Sequence, residues 1–255
     1  MSERLILRCE DTLEGIFTAI YDGFVYKNQG TKPYTDSISI AIGEEGNMEL
    51  FAKEIVVVTD TAKAAKTVSA IQKKLGHYVY QKLFYALCHF DEDRGSAVFG
   101  YLVRAFPIGT RIEEHLADPY VMRVLELSRK AGNECQRLYG FLRFRDMGRF
   151  LYAKLEPKCN AIPIIMDHFE DRYPNENFII YDSLRHYAFV HQAFQPGFFV
   201  QGDEMNLDLS GHEDCFEELW KQYFNTMEIR ERHNEKCQRN MLPKWYRTTM
   251  LEFQS

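Results

Sequence analysis

The chain has 255 residues, of which 45% are hydrophobic and 27% charged, a globular composition that excludes an intrinsically disordered protein. No apolar run approaches the roughly 18 residues that a membrane-spanning helix needs. A net charge of −6 excludes non-specific polyanion binding by the whole surface, so any nucleic-acid site must be a local basic patch.

Residues 4–9 (RLILRC) read as a short strand, and the charges around its apolar core are not those of a signal peptide. Asp11 and Glu14 open an amphipathic helix over 12–27, with Leu13, Ile16, Phe17, Ile20, Tyr21 and Phe24 at helical spacing. Residues 28–47 read as a loop in which 37–42 could extend, and 54–58 as a buried strand. Asp60 caps a helix that Gly76 closes; helices over 77–90 and 93–106 follow, the latter stopped by Pro107 and Gly109. Asp118-Pro119 starts a fourth helix, which buries Val121, Val124, Leu125, Ser128, Ala131, Cys135 and Leu138.

At Gly140 the hydrophobic period changes from 3.6 to 2. Residues 140–145 and 149–155 read as a hairpin across Asp146-Met147-Gly148, and 177–182 and 186–191 as a second, with a helix at 162–172 between them. The expected fold class is α+β: a helix-rich 1–138 packed on an antiparallel ββ-α-ββ sheet over 139–191, with an acidic loop, a helix at 212–232 and a basic tail in 192–255, all in a single domain. Residues 203–218 hold seven acids and no Lys or Arg.

Six cysteines are scattered singly, with no CxxC, which reads as reduced thiols in a cytoplasmic protein without an iron–sulfur cluster. His212-x-x-Cys215 and His233-x-x-x-Cys237 superficially resemble two halves of a zinc site. Across an unbroken helix, Cys215 and His233 would be about 27 Å apart, so no metal and no cofactor is expected.

The basic stretch 119–154 carries eight Lys/Arg against three acids. Strand alternation places Phe141, Arg143 and Arg145 on one face of the first hairpin, and Phe150, Tyr152 and Lys154 on one face of its partner. Arginine beside aromatics on a sheet suits single-stranded nucleic acid, since guanidinium pairs with phosphate and rings stack on bases. A solvated sheet face is the competing reading. The tail 230–247, with Lys244, Trp245, Tyr246 and Arg247, is either a basic arm on phosphate or a terminal segment docked against the acidic stretch before helix 212–232. Ionisable residues also gather over 156–186, where Glu156, His168 and Asp182 are candidate acid/base groups.

The stretch 138–191 resembles a bacterial domain family without an assigned activity, grouped with DNA metabolism and repair. The resemblance rests on Gly140, Phe141, Arg143 and Phe144; on Glu156, Pro157 and Asn160; on His168, Phe169, Arg172, Tyr173 and Pro174; and on Ile180, Tyr181, Asp182 and Arg185. A looser match lies at 14–24, and 53–57, 117–119 and 232–246 also match. The resemblance implies a role beside a radical-SAM protein of DNA modification; in some members the domain precedes a uracil-DNA glycosylase-like domain, and the expectation here is the stand-alone form. The expected function is that of an accessory protein that binds DNA, single-stranded or damaged, through Arg143, Arg145, Arg149, Arg172 and Arg185, or that positions the radical-SAM partner. The alternatives are a repair enzyme using Glu156, His168 and Asp182, and a pure protein–protein adaptor.

Overall fold

The computed structural model describes residues 4–29, 38–43, 52–202, 242–247 and 250. They fall into two compact units, residues 1–133 and 134–255. The expected helix 212–232, the acidic stretch and the His/Cys pairs lie outside the described residues. So does the tail before residue 242.

In the first unit, β1 (Arg4–Cys9) is the centre of a three-stranded parallel sheet, flanked by β2 (Ile38–Ile42) and β3 (Ala52–Val56). Leu7 and Cys9 pair with Ile40 and Ile42, so alternate side chains point to one face. That face packs on α1 (Leu13–Gln29), α2 (Thr61–Leu87) and α3 (Arg94–Ile108) through a core containing Ile16, Ile20, Ile71, Leu75, Phe99 and Leu102.

The segment expected as a buried strand is an edge strand: Val56 is 72% and Val58 82% exposed. A continuous apolar run reads as buried on both sides, but this edge turns only Ile55 and Val57 inward. Asp60 caps α2 as expected, accepting the amides of Ala62 at 2.8 Å and Lys63 at 3.2 Å. Gly76, at φ +84°, breaks the helical geometry at the expected place. Pro107 does not stop α3, which runs one residue further to Ile108 before Gly109 turns at φ +76°.

Helix α4 (Pro119–Phe141) starts where Asp118 accepts the amides of Tyr120 and Val121. Its stripe of Val121, Val124, Leu127, Ala131, Cys135 and Leu138 is buried. Residues 119–133 belong to the first unit and 134–141 to the second.

The second unit is a five-stranded sheet of order β4-β5-β6-β7-β8: β4 (Arg145–Asp146), β5 (Leu151–Leu155), β6 (Phe178–Asp182), β7 (Tyr187–His191) and β8 (Phe198–Gln201). The α+β class holds, with two corrections. Residues 140–144 are not a strand, because α4 continues to Phe141 and the Leu142 amide still bonds back to Leu138 at 2.9 Å. The turn and the second strand are as expected: Asp146 accepts the Gly148 amide at 2.7 Å, Gly148 takes φ +76°, and β5 pairs antiparallel with the short β4. The sheet is also mixed, because β5 and β6 pair in parallel through α5 (Ile162–Arg172). The β6–β7 hairpin is antiparallel as expected, and β8 is an extra strand. Phe169 of α5 and Phe178 of β6 are both buried, each edge-on to Phe144 at 5.5 and 5.7 Å.

Candidate nucleic-acid interface at the 156–160 loop

Parallel pairing brings the ends of β5 and β6 side by side, so the loop Glu156–Asn160 and the turn after Asp182 are neighbours. The loop is held from several directions. Glu134 falls on the apolar stripe of α4, one helical turn from Leu138, and is only 6% exposed. A carboxylate there is costly unless it is hydrogen-bonded. Its oxygens accept the amides of Lys158 at 2.8 Å and Cys159 at 3.0 Å. Burial, with Glu134 adding to it, pushes the Cys159 thiol up; burial pushes that of Cys135 up to about 12.

Arg185 holds the loop by its carbonyls, donating to Pro157 at 3.1 Å and Lys158 at 2.5 Å. The same guanidinium pairs with Asp182 at 3.0 Å. Asp182 is fully buried, and its other oxygen accepts the amides of Leu184 and Arg185. Burial raises the Asp182 carboxyl above its ordinary value, against the opposing pull of Arg185 and those two amides. Glu156 accepts from the Ser183 hydroxyl at 3.3 Å, and Asn160 from the Tyr187 hydroxyl.

A last helical turn, α6 (Lys244–Arg247), docks on this loop. Tyr246 is buried near Phe141, with the Arg137 guanidinium over its ring at 5.9 Å. Trp245 stays 44% exposed while its indole N–H donates to the Glu156 carbonyl at 2.5 Å. The Lys158 ammonium lies 5.5 Å from the Trp245 ring centre. Residues 244–247 are thus docked, on the 156–160 loop; the acidic stretch expected as their partner lies outside the described residues. Arg137, Lys158, Lys244 and Trp245 are all exposed. The carboxylates of Glu134 and Asp182 beneath them are engaged by amides and by Arg185. Among the described residues, three cations and an indole thus stand together around this loop, with the Glu156 carboxylate beside them on the Ser183 hydroxyl.

Of the expected acid/base trio, Glu156 and Asp182 come together through Ser183 and Arg185. His168 does not join them: it sits on α5 against Tyr139 at 4.4 Å and Phe169 at 5.1 Å, and its buried Nε2 has no hydrogen-bond partner among the described residues. Of the five expected phosphate-binding arginines, Arg185 serves the loop. Arg143 donates to the carbonyls of Gly140 and Leu142, at the end of α4. Arg145 lies opposite Tyr152, which is buried. Arg149 and Arg172 are exposed; Arg172 lies against Tyr173 and bonds its hydroxyl at 3.2 Å. Sequence reasoning missed Glu134 and Lys158. The signal for Glu134 was a lone acid four residues before Leu138 and three after Ala131, on a stripe that is otherwise apolar; Lys158 gave none. Among the described residues, no group of three His, Cys, Asp or Glu side chains is placed to hold a metal ion.

Residues 92–252 match the family model DUF4130, a domain of unknown function. The chain belongs to this family. The DUF4130 region contains α4, the 156–160 loop, the Asp182 turn and α6, whereas the parallel sheet of the first unit precedes it. No curated protein matches the chain. Among solved structures, a chain described as the DHH domain of a member of a family of ribosomal proteins is similar at 11% identity, covering 75% of this chain and 74% of its own length with a TM-score of 0.30. A score of that size does not establish a shared fold. Among the described residues, no helix is long and apolar enough to cross a membrane.

Proposed function

We propose that the protein is a nucleic-acid-binding accessory module of DNA metabolism, acting through the surface of α4, the 156–160 loop and α6. The observation that carries this reading is the contact chain from Arg137 through Tyr246 and Trp245 to Lys158, which sets cations beside an exposed indole. Cations on phosphate supply affinity without sequence specificity, as suits an accessory role. The repair-enzyme reading is weakened by the same geometry. Of its three candidate groups, Asp182 is engaged by two amides and by Arg185, Glu156 accepts from the Ser183 hydroxyl, and His168 packs on Tyr139 and Phe169.

The test is binding of a fluorescent oligonucleotide across a salt series, comparing the native chain with a Lys158→Ala/Lys244→Ala variant of matching melting temperature. Losing two phosphate contacts should weaken binding and reduce the salt slope by about 1.4 on a single strand. Unchanged affinity and slope would remove this surface as the site.

A second reading is favoured by a separate observation: Phe194 is 76% exposed, and Phe198 and Phe199 are each 48% exposed. Exposed rings such as Phe194 and Phe198 suit a docking partner, and the radical-SAM protein is the candidate. Co-purification of the two proteins, lost on Phe194→Ala/Phe198→Ala, would support it. Retention by that folded variant would count against it.

A further inference from the structure

Resting on the nucleic-acid reading above, we infer that Trp245 is a stacking platform for an unpaired base, so that the ligand of this surface is single-stranded. Two neighbours on one turn of helix have opposite fates: Tyr246 is 9% exposed and anchors α6, while Trp245 is 44% exposed. An exposed indole is not by itself a site. This one has its N–H fixed on the Glu156 carbonyl, 89 residues away in sequence, so the plane of the ring is set before any ligand arrives. Stacking on a pre-set ring costs little side-chain entropy. The carbonyl that fixes it belongs to a loop immobilised at its amides by Glu134 and at its carbonyls by Arg185. The indole therefore stands on rigid backbone.

The charge around the ring fits the same ligand. Lys158 lies against the indole, Lys244 is its chain neighbour, and Arg137 covers the ring of Tyr246 beside it. A strand whose base lies on Trp245 would bring its phosphates among these cations. Every base offers a π-face, so such a site is tolerant of sequence. A duplex keeps its bases stacked on one another and cannot use the ring. The expected preference is for single strands, with the aromatic and ionic contributions separable.

The experiment uses the unaltered chain and three probes: a thymidine 12-mer, an abasic 12-mer of equal charge, and a hairpin duplex. The thymidine strand should bind about tenfold more tightly than the abasic one, with equal salt slopes, and more tightly than the duplex. The chain has two tryptophans, Trp220 and Trp245. In a Trp220→Phe variant the thymidine strand should quench the remaining emission and the abasic strand should not. Trp245→Phe should retain part of the preference, and Trp245→Ala should abolish it. Equal affinity for thymidine and abasic strands, with the effect of Lys158→Ala/Lys244→Ala intact, would overturn the stacking platform and leave the cationic surface standing. Failure of all three probes to bind would overturn both.

Discussion

Glu134 accepts hydrogen bonds from two consecutive amides, those of Lys158 and Cys159, 24 and 25 residues further along the chain. One side chain thereby fixes the direction of a loop that has no helix or strand hydrogen bonds of its own. Glu134→Ala would leave two amides without their acceptor and should cost about 3 kcal/mol. Glu134→Gln keeps one acceptor oxygen and should cost about 1 kcal/mol. Urea denaturation of the full chain measures both; an alanine variant as stable as the native protein would contradict this role.

Asp182 makes stability depend on pH in a defined direction. Its folded carboxyl is raised above the ordinary value by burial, so the folded state holds that proton more tightly than the unfolded chain does. The unfolded carboxyl ionises near pH 4, at about 3.9. As pH rises from there through the folded value, the native protein should lose stability relative to Asp182→Asn, and then level off. Arg185→Ala removes the compensating charge and should steepen this loss, with a cost of about 3 kcal/mol at neutral pH. Denaturant midpoints from about pH 3.5 to 8 give the difference curve. A curve that rises with pH would invert the assignment.

His168 should prove dispensable for binding. Its ring packs against Tyr139 and Phe169, and its buried Nε2 has no hydrogen-bond partner among the described residues. Replacing an unsatisfied buried nitrogen by an apolar ring of similar shape removes a desolvation cost. His168→Phe should therefore match or exceed native stability, by up to about 1 kcal/mol, with unchanged oligonucleotide affinity. A variant that folds normally but no longer binds would return His168 to the site.

Gly76 holds φ +84° and ψ 169° between the two straight parts of α2, and a Cβ added there would meet nothing within 4 Å. The obstacle to alanine is thus the backbone alone. Gly76→Ala should cost about 1–3 kcal/mol, with helix content by circular dichroism little changed. A neutral substitution would show that the kink relaxes into a continuous helix.

Local signals were read well where the cause of structure is local. Asp60, Asp118 and Gly148 act through bonds or dihedrals within a few residues of themselves, and each does what its position announced. The errors arose where distant pairing decided. Residues 140–144 alternate like a strand, yet Leu142 completes a helical turn on Leu138, and no strand spans them. Two hairpins in succession suggested antiparallel neighbours, but α5 returns the chain so that β6 lies parallel to β5. In the site, Glu156, Asp182 and Arg185 stood out as a group from sequence. The acceptor of the Lys158 and Cys159 amides did not, because an acid on an apolar stripe declares that it needs partners without naming them.

The indole–carbonyl bond between Trp245 and Glu156 also orders events in time. It spans 89 residues, and contacts of high sequence separation form late because loop closure must precede them. A chain emerging from the ribosome can pair β5 with β6 and seat Glu134 on its loop well before α6 exists. During that interval the 156–160 backbone is in place without its indole. The proposed base platform would therefore be complete only once α6 has been synthesised, after the loop that carries it.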